Sequence, residues 1–102
     1  MTVLCEWVFK INPGTDPAIT IESAKRAMAV WRKHGANPRL YTVAFGEVGC
    51  MSVKTEFAGY AEYGRIHDLV ATDPDIRAWS TQNEREGGST WIRSNILREV
   101  PA

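Results

Sequence analysis

Residues 3 to 11, VLCEWVFKI, alternate so that Val3, Cys5, Trp7, Phe9 and Ile11 form an apolar set, while Leu4, Glu6, Val8 and Lys10 form a mixed one. A period of two predicts a strand with one face against a core, and Asn12-Pro13-Gly14 ends it as a turn. The period then lengthens. Asp16-Pro17 reads as an N-cap followed by proline at the first helical position; Ile21, Ala24, Met28 and Trp31 keep one apolar face up to His34, and Gly35 supplies the C-cap. Arg39 to Gly46 and Gly49 to Phe57 are two strand-like runs separated only by Glu47-Val48, which predicts a hairpin. Tyr60, Tyr63, His67 and Val70, joined by Ile66 and Leu69, mark a second helix ending near Thr72. Asp73-Pro74 opens a shorter third helix, anchored by Ile76 and Trp79 and stopped by Gly87-Gly88. The last strand is STWIRSNILREV, Ser89 to Val100.

The order β-α-β-β-α(α)-β predicts an α+β ferredoxin-like domain, an antiparallel sheet in spatial order 4-1-3-2 with its helices on one face. Lengths agree, since a helix of about 17 residues and a strand of about eight both span roughly 25 to 27 Å. Facing follows from the alternation. Val3, Cys5, Trp7, Phe9 and Ile11 should meet the helices, as should Met51, Val53 and Phe57, Ile92, Ile96 and Val100, and Tyr41, Val43 and Phe45. The other face would then carry Leu4, Val8, Leu40, Ala44, Trp91 and Leu97 together with Glu6, Lys54, Glu56, Arg93 and Asn95. That mixture is too apolar for a solvated sheet and too charged for an ordinary core. A second protomer packed on the open sheet face covers it economically, provided the charges pair, because an unpaired buried charge costs several kcal/mol. Glu6 on the central strand is the expected partner of Arg93.

Composition narrows the partners. A chain of 102 residues, 44% of them hydrophobic, is one domain, 1–102, with enough core to fold without disulfides or metals. Twelve basic and twelve acidic side chains balance, which favours neither nucleic acid nor an anionic membrane, and no run approaches the roughly 18 apolar residues of a membrane span. A cytoplasmic protein is the default expectation. Cys5 and Cys50 fall on opposite faces and at opposite ends of neighbouring strands, beyond disulfide reach, so they read as reduced thiols. His34 and His67 have no ligand-like spacing to either cysteine, and no metal or cofactor is expected.

The strand and helix order, the stretch FAGYAEYGRIHDLVATDPDIRAW of residues 57 to 79 and the closing SNILREV together resemble the dimeric α+β barrel superfamily. The Tyr60-Ala61-Glu62-Tyr63-Gly64 segment followed by the Asp73-Pro74 helix start is most similar to NIPSNAP-like members, with EthD-like proteins and antibiotic-biosynthesis monooxygenases as broader relatives. The resemblance implies a homodimer and a pocket in each protomer, between sheet and helices or at the dimer lumen. It carries no reaction across. Cofactor-independent monooxygenases of this superfamily use an asparagine, a tryptophan and an arginine around an aromatic substrate, and Trp91, Arg93 and Asn95 are those residue types without matching that motif position by position.

The candidate pocket residues are accordingly Trp91, Arg93, Asn95, His67, Tyr63 and Glu6. His67 offers an imidazole as acid or base, Arg93 a planar fork for a carboxylate or enolate, and Trp91 reads as a pocket wall. Trp7 and Trp31 read instead as core, and Trp79 as a helix anchor. No nucleophile elbow, phosphate loop or dinucleotide fingerprint is present. Two functions follow as expectations. One is a homodimeric protein that binds a small apolar or aromatic metabolite or acts as an accessory module. The alternative is a cofactor-independent monooxygenase or isomerase acting on an aromatic or polyketide-like substrate.

Overall fold

The computed structural model describes residues 2–102. β1 (Val3–Ile11) lies between β3 (Cys50–Phe57) and β4 (Ser89–Arg98), and β2 (Arg39–Thr42) pairs outside β3, giving the order β2-β3-β1-β4 with every pairing antiparallel. Helices α1 (Pro17–Lys33), α2 (Tyr60–Ala71) and α3 (Pro74–Glu86) pack on one face. This is the α+β ferredoxin-like arrangement expected from the residue pattern. The helix signals sit where the sequence puts them. Asp16 accepts a hydrogen bond from Ala18 N, Asp73 accepts one from Asp75 N, and Gly87 closes α3 in the left-handed conformation at φ 58°.

Core facing is clearest along the central pair. Val3 opposes Phe57, Cys5 opposes Thr55, Trp7 opposes Val53 and Phe9 opposes Met51, and this set meets the helices. Val3, Cys5, Val30, Ala36, Phe57, Ile66 and Val70 form the buried cluster, with Trp7, Trp31, Tyr63 and Ile76 packed against it. Burial raises the Cys5 thiol to about 11, so it stays protonated at neutral pH. Cys50 opposes Lys10 on the other face, and both cysteines are free and buried.

Three sequence expectations are corrected. The second strand stops at Thr42 rather than Gly46. One more bond, Val43 N to Cys50 O at 3.1 Å, ends the ladder, and the chain turns through Gly46 and Gly49 at φ 104° and 81°. Its facing is also reversed. Leu40 opposes Val53 on the helix side, while Tyr41 opposes Ser52 on the open side, its ring 5.9 Å from Lys54 Nζ. An amphipathic ring tolerates that half-exposed position better than leucine does.

The third correction falls in β4. Val8 pairs with Arg93 but Phe9 pairs with Trp91, so Ile92 is an extra residue in a β-bulge. One inserted residue moves all that precedes it to the opposite face. Trp91 therefore stands beside Phe9 on the helix side, not on the open face with Arg93, Asn95 and Leu97.

Candidate functional site

A cavity of about 830 Å³ lies between the sheet and the helices, partly open to solvent. Its walls come from β1 (Trp7, Phe9), α1 (Ser23, Met28, Trp31), the ends of α2 (His67, Val70), α3 (Trp79, Asn83) and the start of β4 (Trp91). All four tryptophans of the chain line it. Trp7 and Trp31 meet at 5.1 Å between ring centroids with planes tilted by 48°, and Trp31 also packs 6.3 Å from Phe57. Trp7 and Trp31, read from the sequence as core, thus have one side in the core and the other in the cavity. Trp91 is the most exposed of the four and donates its indole N–H to Ser94 Oγ at 2.9 Å. Trp91 reaches this cavity only through the bulge, and alternation alone could not reveal that.

The polar end is built where α1 faces α3. Trp79 Nε1 donates to Ser23 O at 2.8 Å and lies 3.1 Å from Ser23 Oγ, and Ser23 Oγ donates to Asn83 Oδ1 at 2.7 Å. Nearby, buried Thr20 donates to Gly88 O at 3.1 Å. Gly88 allows the close approach: a Cβ there would stand 2.9 Å from Thr20 Oγ1. Ser23 and Asn83 went unnoticed in the sequence because a lone serine and a lone asparagine on two helices, far apart in the chain, carry no motif.

The six sequence candidates do not form one site. Trp91 and His67 line the cavity. His67 is half-exposed at its mouth, its ring 6.2 Å from Trp31 and 5.6 Å from Tyr63. Tyr63 packs edge-on against Phe57 at 5.4 Å, and its phenol is pushed up by burial and then by neighbouring Cys5. Arg93, Asn95 and Glu6 lie across the sheet. The expected Glu6–Arg93 pair does not form, because the register sets Glu6 opposite Asn95 and Lys54 rather than Arg93. Glu6 accepts from Asn95 Nδ2 at 3.0 Å and lies 3.9 Å from Lys54 Nζ. Arg93 instead makes a two-pronged pair with Glu47 of the β2–β3 loop, at 2.8 and 2.5 Å, which lowers the carboxyl pKa and raises that of the guanidinium. Glu47 thereby reaches across the row in which Val8 and Ser52 are buried on the open face.

A carboxylate also ties the start of α3, and with it the cavity's far wall, to the end of α1. Buried Asp73 caps α3 through Asp75 N and takes Lys33 Nζ at 2.5 Å, with His34 Nε2 at 2.7 Å. These partners, Lys33 first, hold the Asp73 carboxyl far below the usual carboxylate range. A depressed folded-state value contributes stability that is present above the ordinary value of about 3.9 and is lost as pH falls below it. Asp73→Asn, which keeps a capping acceptor but no charge, should therefore melt lower than wild type at pH 6. The gap between the two melting temperatures should begin to narrow as pH falls below about 4 and keep shrinking at more acid pH, as calorimetry would record.

Among the described residues no helix is long and apolar enough to cross a membrane, and no three His, Cys, Asp or Glu cluster as metal ligands. This is a ferredoxin-like α+β domain with an indole-lined cavity beneath its helices. Neither a family model nor a curated protein sequence matches the chain. Solved structures do. A NIPSNAP domain protein from Burkholderia xenovorans superposes with TM-score 0.73 at 16% identity, over 100% of this chain and 95% of that one. A NIPSNAP family protein from Agrobacterium tumefaciens gives 0.70 at 13%, over 100% and 94%. SnoaB, a cofactor-independent oxygenase from Streptomyces nogalater, gives 0.71 at 12%, over 99% and 95%. The chain shares the fold of SnoaB and of the NIPSNAP-like proteins, the latter being the group that the sequence resemblance named.

Proposed function

We propose that this protein binds a flat, apolar or aromatic small molecule in the cavity between its sheet and helices. The observation that carries this reading is the convergence of Trp7, Trp31, Trp79 and Trp91 on one space of about 830 Å³. That volume lies within the range of ligand pockets, and indole walls give large contact area with few rotatable bonds. The test uses N-phenyl-1-naphthylamine, a neutral fluorescent aromatic. One saturable site per chain, excited by energy transfer from tryptophan, is expected, with Trp91→Ala weakening it about fivefold to tenfold. Non-saturable partition, or binding indifferent to Trp91→Ala, would count against the cavity.

The same proposal includes a homodimer through the open sheet face. Tyr41 and Leu97 are exposed there, and Phe45 and Val48 are exposed in the loop whose Glu47 crosses that face. Exposed apolar side chains on this face and on its bordering loop support such a contact.

A second reading, a cofactor-independent oxygenase or isomerase, is favoured by His67, an imidazole at the mouth of the same cavity that could take a proton from a bound phenol. The likeness to SnoaB supports it only through the shared fold. It does not draw on Trp91, Arg93 and Asn95 together, since the bulge separates the tryptophan from the other two. Uptake of dissolved oxygen with 1,4-dihydroxynaphthalene, abolished by His67→Ala, would favour this reading over simple binding.

A further inference from the structure

Resting on that reading of the cavity, we infer that its polar end is a hydrogen-bond donor site, so that the preferred ligand carries an acceptor there, a ketone, quinone or similar carbonyl oxygen, on its aromatic frame. An indole N–H can only donate. Trp79 Nε1 reaches both Ser23 O and Ser23 Oγ, so the serine hydroxyl oxygen already faces a donor. Its own proton then goes to the atom 2.7 Å away, Asn83 Oδ1. With the Asn83 amide reversed, the serine oxygen would have to accept from both Trp79 Nε1 and Asn83 Nδ2, and its proton would lose the acceptor 2.7 Å away. The relay from Trp79 through Ser23 therefore sets the amide with its carbonyl toward the serine and its NH2 free to donate. Asn83 and buried Ser23 both line the cavity. A partly desolvated amide donor discriminates strongly, because a ligand offering another donor at that point leaves both groups unpaired.

Three near-isosteric tricyclic probes separate the possibilities: 9-fluorenone presents an acceptor, carbazole a donor and fluorene neither. Equilibrium dialysis should give 9-fluorenone an affinity about tenfold above that of fluorene, with carbazole no tighter than fluorene. Asn83→Asp removes the NH2 and should reverse the order in favour of carbazole. Ser23→Ala frees the amide to turn, and should bring 9-fluorenone and carbazole to similar affinities. The ratio of those two affinities reads polarity rather than stability, because any loss of fold weakens both probes alike. Carbazole preferred by the wild type, or a 9-fluorenone preference that survives both substitutions, would overturn the donor assignment while leaving aromatic binding in place. If none of the three probes binds, the reading of the cavity as an aromatic site falls, and the donor assignment with it.

Discussion

Phe57→Ala is expected to lower the free energy of unfolding by about 3 to 5 kcal/mol, the range for deleting a fully buried aromatic ring. Phe57 is 2% exposed, opposes Val3 on the central strand, and packs edge-on against Tyr63 and Trp31. Those neighbours are anchored on three different elements and cannot collapse together into the space left behind. A chain of this size has roughly 5 to 15 kcal/mol in total, so the variant should be partly unfolded near 37 °C. Urea titration followed by tryptophan fluorescence measures the loss directly. A midpoint within error of the wild type would show that the ring is not the centre of the core. Because Trp31 touches Phe57 on one side and lines the cavity on the other, the same substitution should also weaken ligand binding, which links core packing to the site.

Leu97→Asp is expected to turn the proposed dimer into monomers. Leu97 pairs with Leu4 on the open face and is 44% exposed in the isolated protomer, so an aspartate there stays hydrated while the chain is alone. Packing a second sheet over it would strand an unpaired carboxylate. At several kcal/mol for such a charge, the dissociation constant should rise on the order of a hundredfold or more. Sedimentation velocity at about 10 μM should then show a dimer for the wild type and a monomer for the variant, with nearly the same thermal midpoint when both are dilute. A wild type that sediments as a monomer, or a variant that remains dimeric, would remove the open face as the contact surface. The proposed dimer would also accommodate Arg93. Its two-pronged pair with Glu47 would enter the dimer already formed, so that covering it would leave no lone charge.

The cavity and the proposed contact surface lie on opposite faces of one sheet, and β4 contributes to both. Its residues before the bulge, Ser89 and Trp91, line the cavity, whereas Arg93, Asn95 and Leu97 beyond it belong to the open face. A single extra residue at Ile92 allows one strand to present its tryptophan to the helices without surrendering the polar set on the other side.

The residues by themselves determined the elements and their order. Local chemistry is strong at each boundary: Asp16-Pro17 and Asp73-Pro74 open helices, Gly87 closes one, and the alternation along β1 assigns its core face without ambiguity. The strand order and the separation of Cys5 from Cys50 followed from those elements. Tertiary structure decided everything that depends on register and on distant partners. Tyr41 and Leu40 exchange faces because pairing with β3, not their own hydropathy, sets their side. Trp91 crosses the sheet because a bulge shifts the count by one, which no period of two can anticipate. Glu47 rather than Glu6 meets Arg93 because a loop folds over the sheet. Ser23, Trp79 and Asn83 become a polar relay only when α1 and α3 come together. Spacing along a chain records which groups repeat, whereas a cavity is made of groups that meet, and that meeting is a property of packing.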